Sequence, residues 1–213
     1  MDKIKIALAK GRLAREAIAI MKEAGIEFPD YEEKSRKLIF QDKTGRLRMI
    51  FVKPWDVPVY VEKGAADIGV VGKDVLMENK VNVYEVADLG IGICKLCVAG
   101  YENQEFNKKK KLKIGTKFSN SAKEYYNKKG IPTEVIKLNG SVELAPIMGL
   151  SDVIVDIVES GKTLKENGLV ILEEIFDISA RLIVNKVSLK TKSGEIDSII
   201  EKIENVLKER RFE

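Results

Sequence analysis

The chain has 213 residues, 45% of them apolar and 33% charged, a balance that excludes general disorder and suits one large core or two modest ones. Its 37 basic residues exceed its 33 acidic ones by a net +4 spread along the chain, which favours acidic small molecules without implying a nucleic-acid partner. No apolar run approaches bilayer length and the charge scattered through MDKIKIALAKGRLAREA makes no secretory leader, so a cytoplasmic protein without a membrane segment is expected.

In chain order, Lys3 to Ala9 reads as a buried strand, and Lys10-Gly11-Arg12 turns into a helix with Ala14, Ala17, Ile18, Met21 and Ala24 on its apolar face. Gly25 stops that helix. Lys37 to Gln41 and Arg48 to Val52 flank Asp42-Lys43-Thr44-Gly45 and predict a hairpin. A short helix over Asp56 to Glu62, a strand over Ala66 to Val71 and a helical start at Lys73 to Met77 complete an α/β domain expected to have a mostly parallel sheet. After Glu85 the character changes: a long strand over Ile91 to Ala99, then a polar loop over Tyr101 to Lys111. A second α/β set follows, with a strand at Leu112 to Gly115, a helix to about Lys129, a strand at Glu134 to Leu138 and a helix from Ser141. Val153 to Val158 is an apolar strand, Val170 to Val187 is strand-rich, and the tail carries Ile196, Ile199, Ile200, Ile203, Val206 and Leu207 at helical spacing. Two α/β sets in one chain predict two lobes with a cleft between them, the tail returning to the first.

Cys94 and Cys97 are the only cysteines, and histidine is absent. On a strand, residues three apart point to opposite faces, so this pair reads as buried, inert thiols rather than a redox or zinc motif, and no dedicated metal site is assigned. The lack of histidine removes every His-based triad and His-based acid catalysis. The basic run Lys108 to Lys111, followed by Lys113, has no aromatic platform beside it and reads as a solvated loop.

Chemistry concentrates where strands end. VIVDIVESGKTLKENGL, from Val153 to Leu169, takes an apolar strand into a glycine-containing loop and a helix start, which offers backbone N–H groups to a phosphate. Ser160 and Thr163 add hydroxyl donors and Lys162 adds charge, while Asp156 and Glu159 suit ribose hydroxyls or a hydrated Mg²⁺. Gly161-Lys162-Thr163 imitates the end of a nucleoside-triphosphatase P-loop, but Asp156 stands where that motif needs its first glycine. Asn139, Gly140, Ser141 and Glu143 supply another helix start, for which capping by Ser141 is sufficient reason. Lys10-Gly11-Arg12 and Lys53-Pro54-Trp55-Asp56 each put a basic residue after a strand, with Asp56 placed to cap a helix and Trp55 to pack against the lobe. Gly72 allows tight approach and Asp74 reads as a cap. These features leave three classes open: a transferase acting on phosphorylated substrates, a non-catalytic ligand-binding module, and a nucleotide hydrolase, the last disfavoured by Asp156.

The blocks AKGRL (9–13), KPWDVPVYVEKGAADIGVVGKDVL (53–76), KLCVAG (95–100), GTKFSNSAKEYY (115–126), NGSVELAPIMGLSDVIVDIVESGKTLKENGL (139–169) and RLIVN (181–185) resemble the ATP phosphoribosyltransferase family over nearly the whole chain. The resemblance implies an α/β, two-lobed periplasmic-binding-protein-like (type II) fold with a cleft between lobes. Residues 1–90 form lobe I, with 184–213 returning to it, and 91–183 form lobe II. It implies the first step of histidine biosynthesis, the joining of ATP and 5-phosphoribosyl-1-pyrophosphate with Mg²⁺ to give N1-(5-phosphoribosyl)-ATP and pyrophosphate. In this reading Asp156, Glu159, Ser160, Gly161, Lys162 and Thr163 hold the phosphoribosyl donor, and Lys10, Gly11, Arg12 and Lys53 meet triphosphate or pyrophosphate, with Asp74 and Ser141 alongside. The end at Glu213 matches the short form of the family, which implies a histidyl-tRNA-synthetase-like regulatory subunit, a hetero-octamer and a homodimer core, with no nucleic acid and no membrane. Against the family pattern, Ala9 replaces Pro, Lys53 and Lys95 replace Arg, and Ser160 replaces Thr; lysine keeps the charge of arginine but loses its planar fork.

Overall fold

A computed structural model describes residues 3–102 and 110–212. The chain divides into two compact units: Met1–Leu76, Lys80–Gly92 and Ser179–Glu213 make unit 1, and Met77–Asn79 with Ile93–Ile178 make unit 2.

Unit 1 is built on a six-stranded sheet in the order β2-β3-β1-β4-β11-β5, where β1 is Ile4–Ala9, β2 Ile39–Gln41, β3 Leu47–Val52, β4 Ile68–Gly72, β5 Tyr84–Asp88 and β11 Ala180–Val184. Ile4, Ile6 and Leu8 alternate with Lys5, Ala7 and Ala9, and this period of two places the first set in one buried layer. That layer is closed by α1 (Arg12–Glu23), through Ala14, Ala17, Ile20 and Met21, and by α8 (Ser193–Phe212), through Ile196, Ile199, Ile203 and Val206. Arg210 grips Glu23 with two hydrogen bonds of 2.8 and 2.6 Å, joining the two helices at their ends. The opposite face carries α2 (Val57–Glu62) and α3 (Lys73–Asn79), with Val57, Val61, Val75 and Leu76 packed on Ala7, Val71 and Ile183. Helix α1 stops where Gly25 takes φ +74° and the Ile26 N–H reaches back to the Met21 carbonyl. The hairpin turn is held by Asp42, whose carboxylate accepts from the N–H groups of Thr44 and Leu47.

The expectation of a mostly parallel sheet is corrected: β1 pairs in parallel with β3 and β4, but β2–β3, β4–β11 and β11–β5 are antiparallel. The cause is the late return of the chain, which inserts β11 between β4 and the edge strand β5. Strand β5 went unread because Tyr84 and Glu85 are exposed on that edge and leave no apolar run. The strand-rich reading of 170–187 ends too late as well. Asn185 accepts from the N–H groups of Val187 and Ser188 at 2.9 and 2.8 Å and starts α7 (Lys186–Thr191).

At this return point lies a buried polar node. Asp67 accepts from the Lys5 N–H at 2.8 Å, the Ser188 hydroxyl at 2.7 Å and the Lys192 ammonium at 2.9 Å, while Asn185 donates to the Val61 carbonyl at 2.7 Å. Burial would raise the Asp67 pKa, but these hydrogen bonds and the Lys192 charge outweigh it and hold the carboxyl below its ordinary value.

Unit 2 carries a five-stranded sheet in the order β10-β6-β9-β7-β8, formed by β6 Cys94–Gly100, β7 Leu112–Thr116, β8 Thr133–Lys137, β9 Val153–Val158 and β10 Val170–Ile178. Only β7–β8 and β7–β9 are parallel, so this sheet is mixed too. α4 (Ser119–Lys128) packs on β7 and β8 with Ala122 and Tyr126 buried, and burial pushes the Tyr126 phenol up beyond the ordinary range. α5 (Leu144–Ile147) and α6 (Lys162–Glu166) lie on the sheet through a cluster of Val142, Ala145, Leu164, Cys97, Ile154 and Val158. Cys97 is buried and its thiol pKa is raised chiefly by that burial, but Cys94 is only half-buried, which corrects the reading of both thiols as buried. Most of the loop expected over Tyr101 to Lys111, with Lys108 and Lys109 of its basic run, falls on 103–109, outside the described residues.

The amino end of α4 is capped from a distance. Phe118 at the N-cap has no polar side chain, and the buried Glu78 carboxylate instead accepts from the Asn120 N–H at 2.9 Å, the Ser121 N–H at 2.9 Å and the Ser121 hydroxyl at 3.0 Å. Glu78→Ala is therefore expected to cost about 2–3 kcal/mol, since it leaves buried donors without acceptors. Urea denaturation reads the loss, and amide exchange should quicken first at Asn120 and Ser121.

Candidate active site

In unit 2 the carboxyl ends of three parallel strands meet. Thr116 at the end of β7 is in register with Lys137 of β8 and Val155 of β9, so the segments that follow all three strands emerge along one sheet edge. After β9, Asp156 is half-buried on the strand, and Glu159 and Ser160 are exposed. Gly161 sits at φ +71°, ψ 0°, a left-handed conformation that L side chains resist, and this bend swings the chain into α6. Leu164, buried under the sheet cluster, anchors that single turn, while Lys162 and Thr163 stay exposed. The Ser160 hydroxyl lies 3.4 Å from the Lys162 N–H, at the long limit of a cap, so the turn is set by the glycine rather than by serine capping.

After β8, the helix expected from Ser141 begins only at Leu144 and lasts four residues, with Glu143 at its N-cap and no side-chain cap. Ser141 does not cap it. It occupies φ +48°, an uncommon conformation for a residue with a Cβ, held because Val142 beside it is driven into the core. After β7, the Thr116 hydroxyl donates to the Val155 carbonyl at 2.6 Å and accepts from the Phe118 N–H at 2.8 Å, so it ties the turn to β9. The sequence does not single out Thr116, although Gly115 precedes it; its signal is a buried threonine at a strand end.

Unit 1 has a comparable edge. Ala9 of β1 is in register with Val52 of β3, so Lys10 and Lys53 each follow the last paired residue of two adjacent parallel strands. Gly11 has φ +127°, and Arg12 opens α1 with its Nε 3.7 Å from Glu16. The Lys10 ammonium donates to the Ser35 carbonyl at 2.5 Å and lies 5.7 Å from the Phe51 ring centroid. Lys53 is exposed, and its carbonyl accepts from the N–H groups of Asp56 and Val57. Asp56 lies inside the short 3-10 turn Pro54–Asp56 and makes no side-chain cap, which corrects its expected role, whereas Trp55 packs against the unit's core as expected.

Asp74 likewise is not the N-cap of α3; Gly72 holds that position. Asp74 is in the first helical turn, buried, with its carboxylate folded back over Gly72 so closely that a Cβ there would come within 2.1 Å of Oδ1. Gly72→Ala must push that carboxylate out of place. The expected result is a loss of about 1–3 kcal/mol of stability, checked by urea denaturation of the variant beside Asp74→Ala, which should relieve the clash in the double mutant.

Two α/β units, each on a mixed sheet with its loops at the carboxyl ends of parallel strands, define a protein of the type II periplasmic-binding-protein-like fold. The periplasmic aliphatic sulphonate binding protein SsuA from Escherichia coli shares that fold at 12% identity, with a TM-score of 0.57 over 99% of this chain and 71% of that one. A family model described as ATP phosphoribosyltransferase (HisG) matches residues 53–205. The ATP phosphoribosyltransferase of Caldanaerobacter subterraneus subsp. tengcongensis is 54% identical over 97% of this chain and 99% of its own. A solved chain from the ATP phosphoribosyl transferase (HisG:HisZ) complex of Thermotoga maritima is 39% identical, with a TM-score of 0.84 over 97% of this chain and 98% of that one. The chain belongs to the ATP phosphoribosyltransferase family.

Proposed function

We propose that the chain catalyses the first step of histidine biosynthesis, transferring the phosphoribosyl group of 5-phosphoribosyl-1-pyrophosphate to N1 of ATP. Family membership across the chain carries the reading, together with the loop of unit 2, whose left-handed Gly161 turns β9 into a helix start lined by Ser160, Lys162 and Thr163. Those three residues and the loop backbone bind the donor's 5-phosphate, and Asp156 and Glu159 hold its ribose hydroxyls. Ser141 lines the same sheet edge. In unit 1, Lys10, Gly11, Arg12 and Lys53 take the negative charge of triphosphate or pyrophosphate, and Asp74 orders the turn beside them.

The adenine N1 lone pair attacks the anomeric carbon as the bond to pyrophosphate breaks and pyrophosphate leaves with the bonding pair. Adenine N1 is nucleophilic without prior deprotonation, so a chain that lacks histidine loses nothing by it. The protein's contribution is alignment of the two substrates and cationic stabilisation of the leaving group. Asp156 and Glu159 would hold a Mg²⁺ that keeps much of its water and takes substrate phosphates with one or two carboxylates. Bound with the substrates, it would supply charge neutralisation of the phosphates.

The protein works in the cytoplasm on small molecules, binding no nucleic acid. No helix among the described residues is long and apolar enough to cross a membrane. The Thermotoga relative comes from a HisG:HisZ complex, which supports a partner subunit here as well. In our reading that partner is histidyl-tRNA-synthetase-like and regulatory, and the assembly is a hetero-octamer around a homodimer core. The test is pyrophosphate release by the purified chain, alone and with that subunit, in the presence of Mg²⁺ and the donor. Release that requires ATP and yields a phosphoribosyl-ATP adduct is expected; absence of the adduct in both preparations would refute the assignment.

A further inference from the structure

We infer that Lys95 is an additional anion-binding residue of the phosphoribosyl-donor loop, held on Glu174 and Asp177 until a phosphate group of the donor takes it from them. The inference rests on the function proposed above and concerns unit 2 alone.

Strand β6 runs antiparallel to β9, and Lys95 stands opposite Val158, the last strand residue before Glu159 and the loop. Cys97 and Ala99, two and four residues on, pack in one cluster with Val158 and with Leu164 of α6. Strand alternation therefore puts the Lys95 side chain on the face that carries α6, at the end where the core gives way to solvent. On its other side Lys95 opposes Asp177 of β10. Its ammonium does not settle on that direct partner, whose Oδ1 is 3.8 Å away, but on Glu174 Oε2 at 2.5 Å. Glu174 opposes Cys97, and Cys97 opposes Asp156, so the side chain leans toward the row that contains a proposed ribose ligand.

The hydrogen bond that Lys95 donates to the Glu174 carboxylate raises the Lys95 pKa, and the group is a cation throughout the neutral range. The pair is nevertheless open: the side chains of Lys95, Glu174 and Asp177 are 44%, 54% and 85% exposed. Exposed ion pairs are weakly held, and a four-carbon stem with three rotatable donors can change partners at small cost. The loop needs such a cation. Asp156 and Glu159 bring negative charge to the place proposed for a phosphate, and the loop's own Lys162, 3.8 Å from Glu166, is a single exposed cation against those two carboxylates. A phosphate carries more charge than either carboxylate and so competes well for the Lys95 ammonium.

The experiment is direct titration of phosphoribosyl pyrophosphate, and separately of ATP, into the full chain as wild type, Lys95→Ala, Lys95→Arg and Glu174→Gln. Lys95→Ala is expected to weaken donor binding about tenfold, with ATP affinity held within about twofold, and Lys95→Arg to recover most of the loss. Glu174→Gln, which removes a competitor for the ammonium, is expected to tighten donor binding by about threefold. Donor affinity unchanged in Lys95→Ala, or an equal loss for ATP, overturns the inference. Unchanged affinity in Glu174→Gln overturns the exchange of partners. A wild-type chain that binds no donor at all fails earlier, and brings down the proposed function rather than the role of Lys95 within it. Thermal melting of each variant confirms that an exposed substitution has left the fold in place.

Discussion

Gly161→Val is expected to weaken binding of phosphoribosyl pyrophosphate by tenfold or more, about 1.5–2 kcal/mol, while ATP binding stays within about twofold. Gly161 sits at φ +71°, ψ 0°, and the nearest atom to a Cβ built there is Val158 Cγ1, at 4.0 Å. Space is therefore not the obstacle. The left-handed backbone itself costs an L residue about 1–2 kcal/mol, and more for a β-branched one. The chain escapes that cost by re-aiming the peptide groups around residue 161, which are the ones proposed to face the donor's phosphate. Thr163→Ala tests the same surface more gently, removing one hydroxyl donor for an expected loss of about threefold to tenfold in donor affinity. Calorimetric titration of both substrates into both variants decides the matter. An equal loss for ATP and donor, with the fold intact, would remove the loop from the donor site.

The largest effect on stability is expected at Asp67. Asp67→Ala should lower the unfolding free energy by about 3–5 kcal/mol, because it strands the Lys192 ammonium and the Lys5 N–H without their buried acceptor. The Asp67 and Lys192 side chains are 4% and 22% exposed, so solvent can replace little of what is lost. The sign of the pH dependence follows from the lowered carboxyl pKa. A group whose folded pKa lies below its unfolded value contributes stability above the unfolded value, near 3.8, and loses it as the pH falls through the folded one. Urea midpoints measured from neutral pH down to about 2 should therefore fall more steeply for wild type than for Asp67→Asn. Parallel curves would show that the node contributes no such linkage.

Much of this architecture was legible as local pattern. Val153–Val158 emerges with the bounds read from its apolar run, since a strand buried on both faces needs no neighbour to explain it. The first strand, its helix and the Gly25 stop were equally plain, because alternation, a period near 3.6 and a left-handed glycine are written into consecutive residues. The edge strand Tyr84–Asp88 was not legible: its outer face is polar and exposed, and it becomes a strand only by pairing with β11, about a hundred residues later. The helix at Lys186–Thr191 was hidden for a related reason, as the apolar run before it continues in spirit until Asn185 caps the turn. Ser141, Asp56 and Asp74 look like caps in sequence, yet none is an N-cap whose side chain holds its helix, since cap chemistry requires a backbone geometry that packing sets.

Of the candidate site, the loop from Asp156 to Thr163 and the Lys10-Gly11-Arg12 turn were visible because each combines a strand, a glycine and polar residues within one short segment. Lys53 and Ser141 on the neighbouring strand ends were visible too, whereas the buried Thr116 was not. By itself the sequence determined the α/β class and the two sets of elements, because these depend on residue type and short-range spacing, and it is the source of the phosphate chemistry proposed for the strand ends. Only the tertiary structure decided the mixed sheets, the buried Asp67 node, the capping of α4 by Glu78, and the placing of Lys95 beside Val158. All four join residues distant in the chain, and the register that brings them together is set by burying whole faces of sheets, a choice no local segment can make alone.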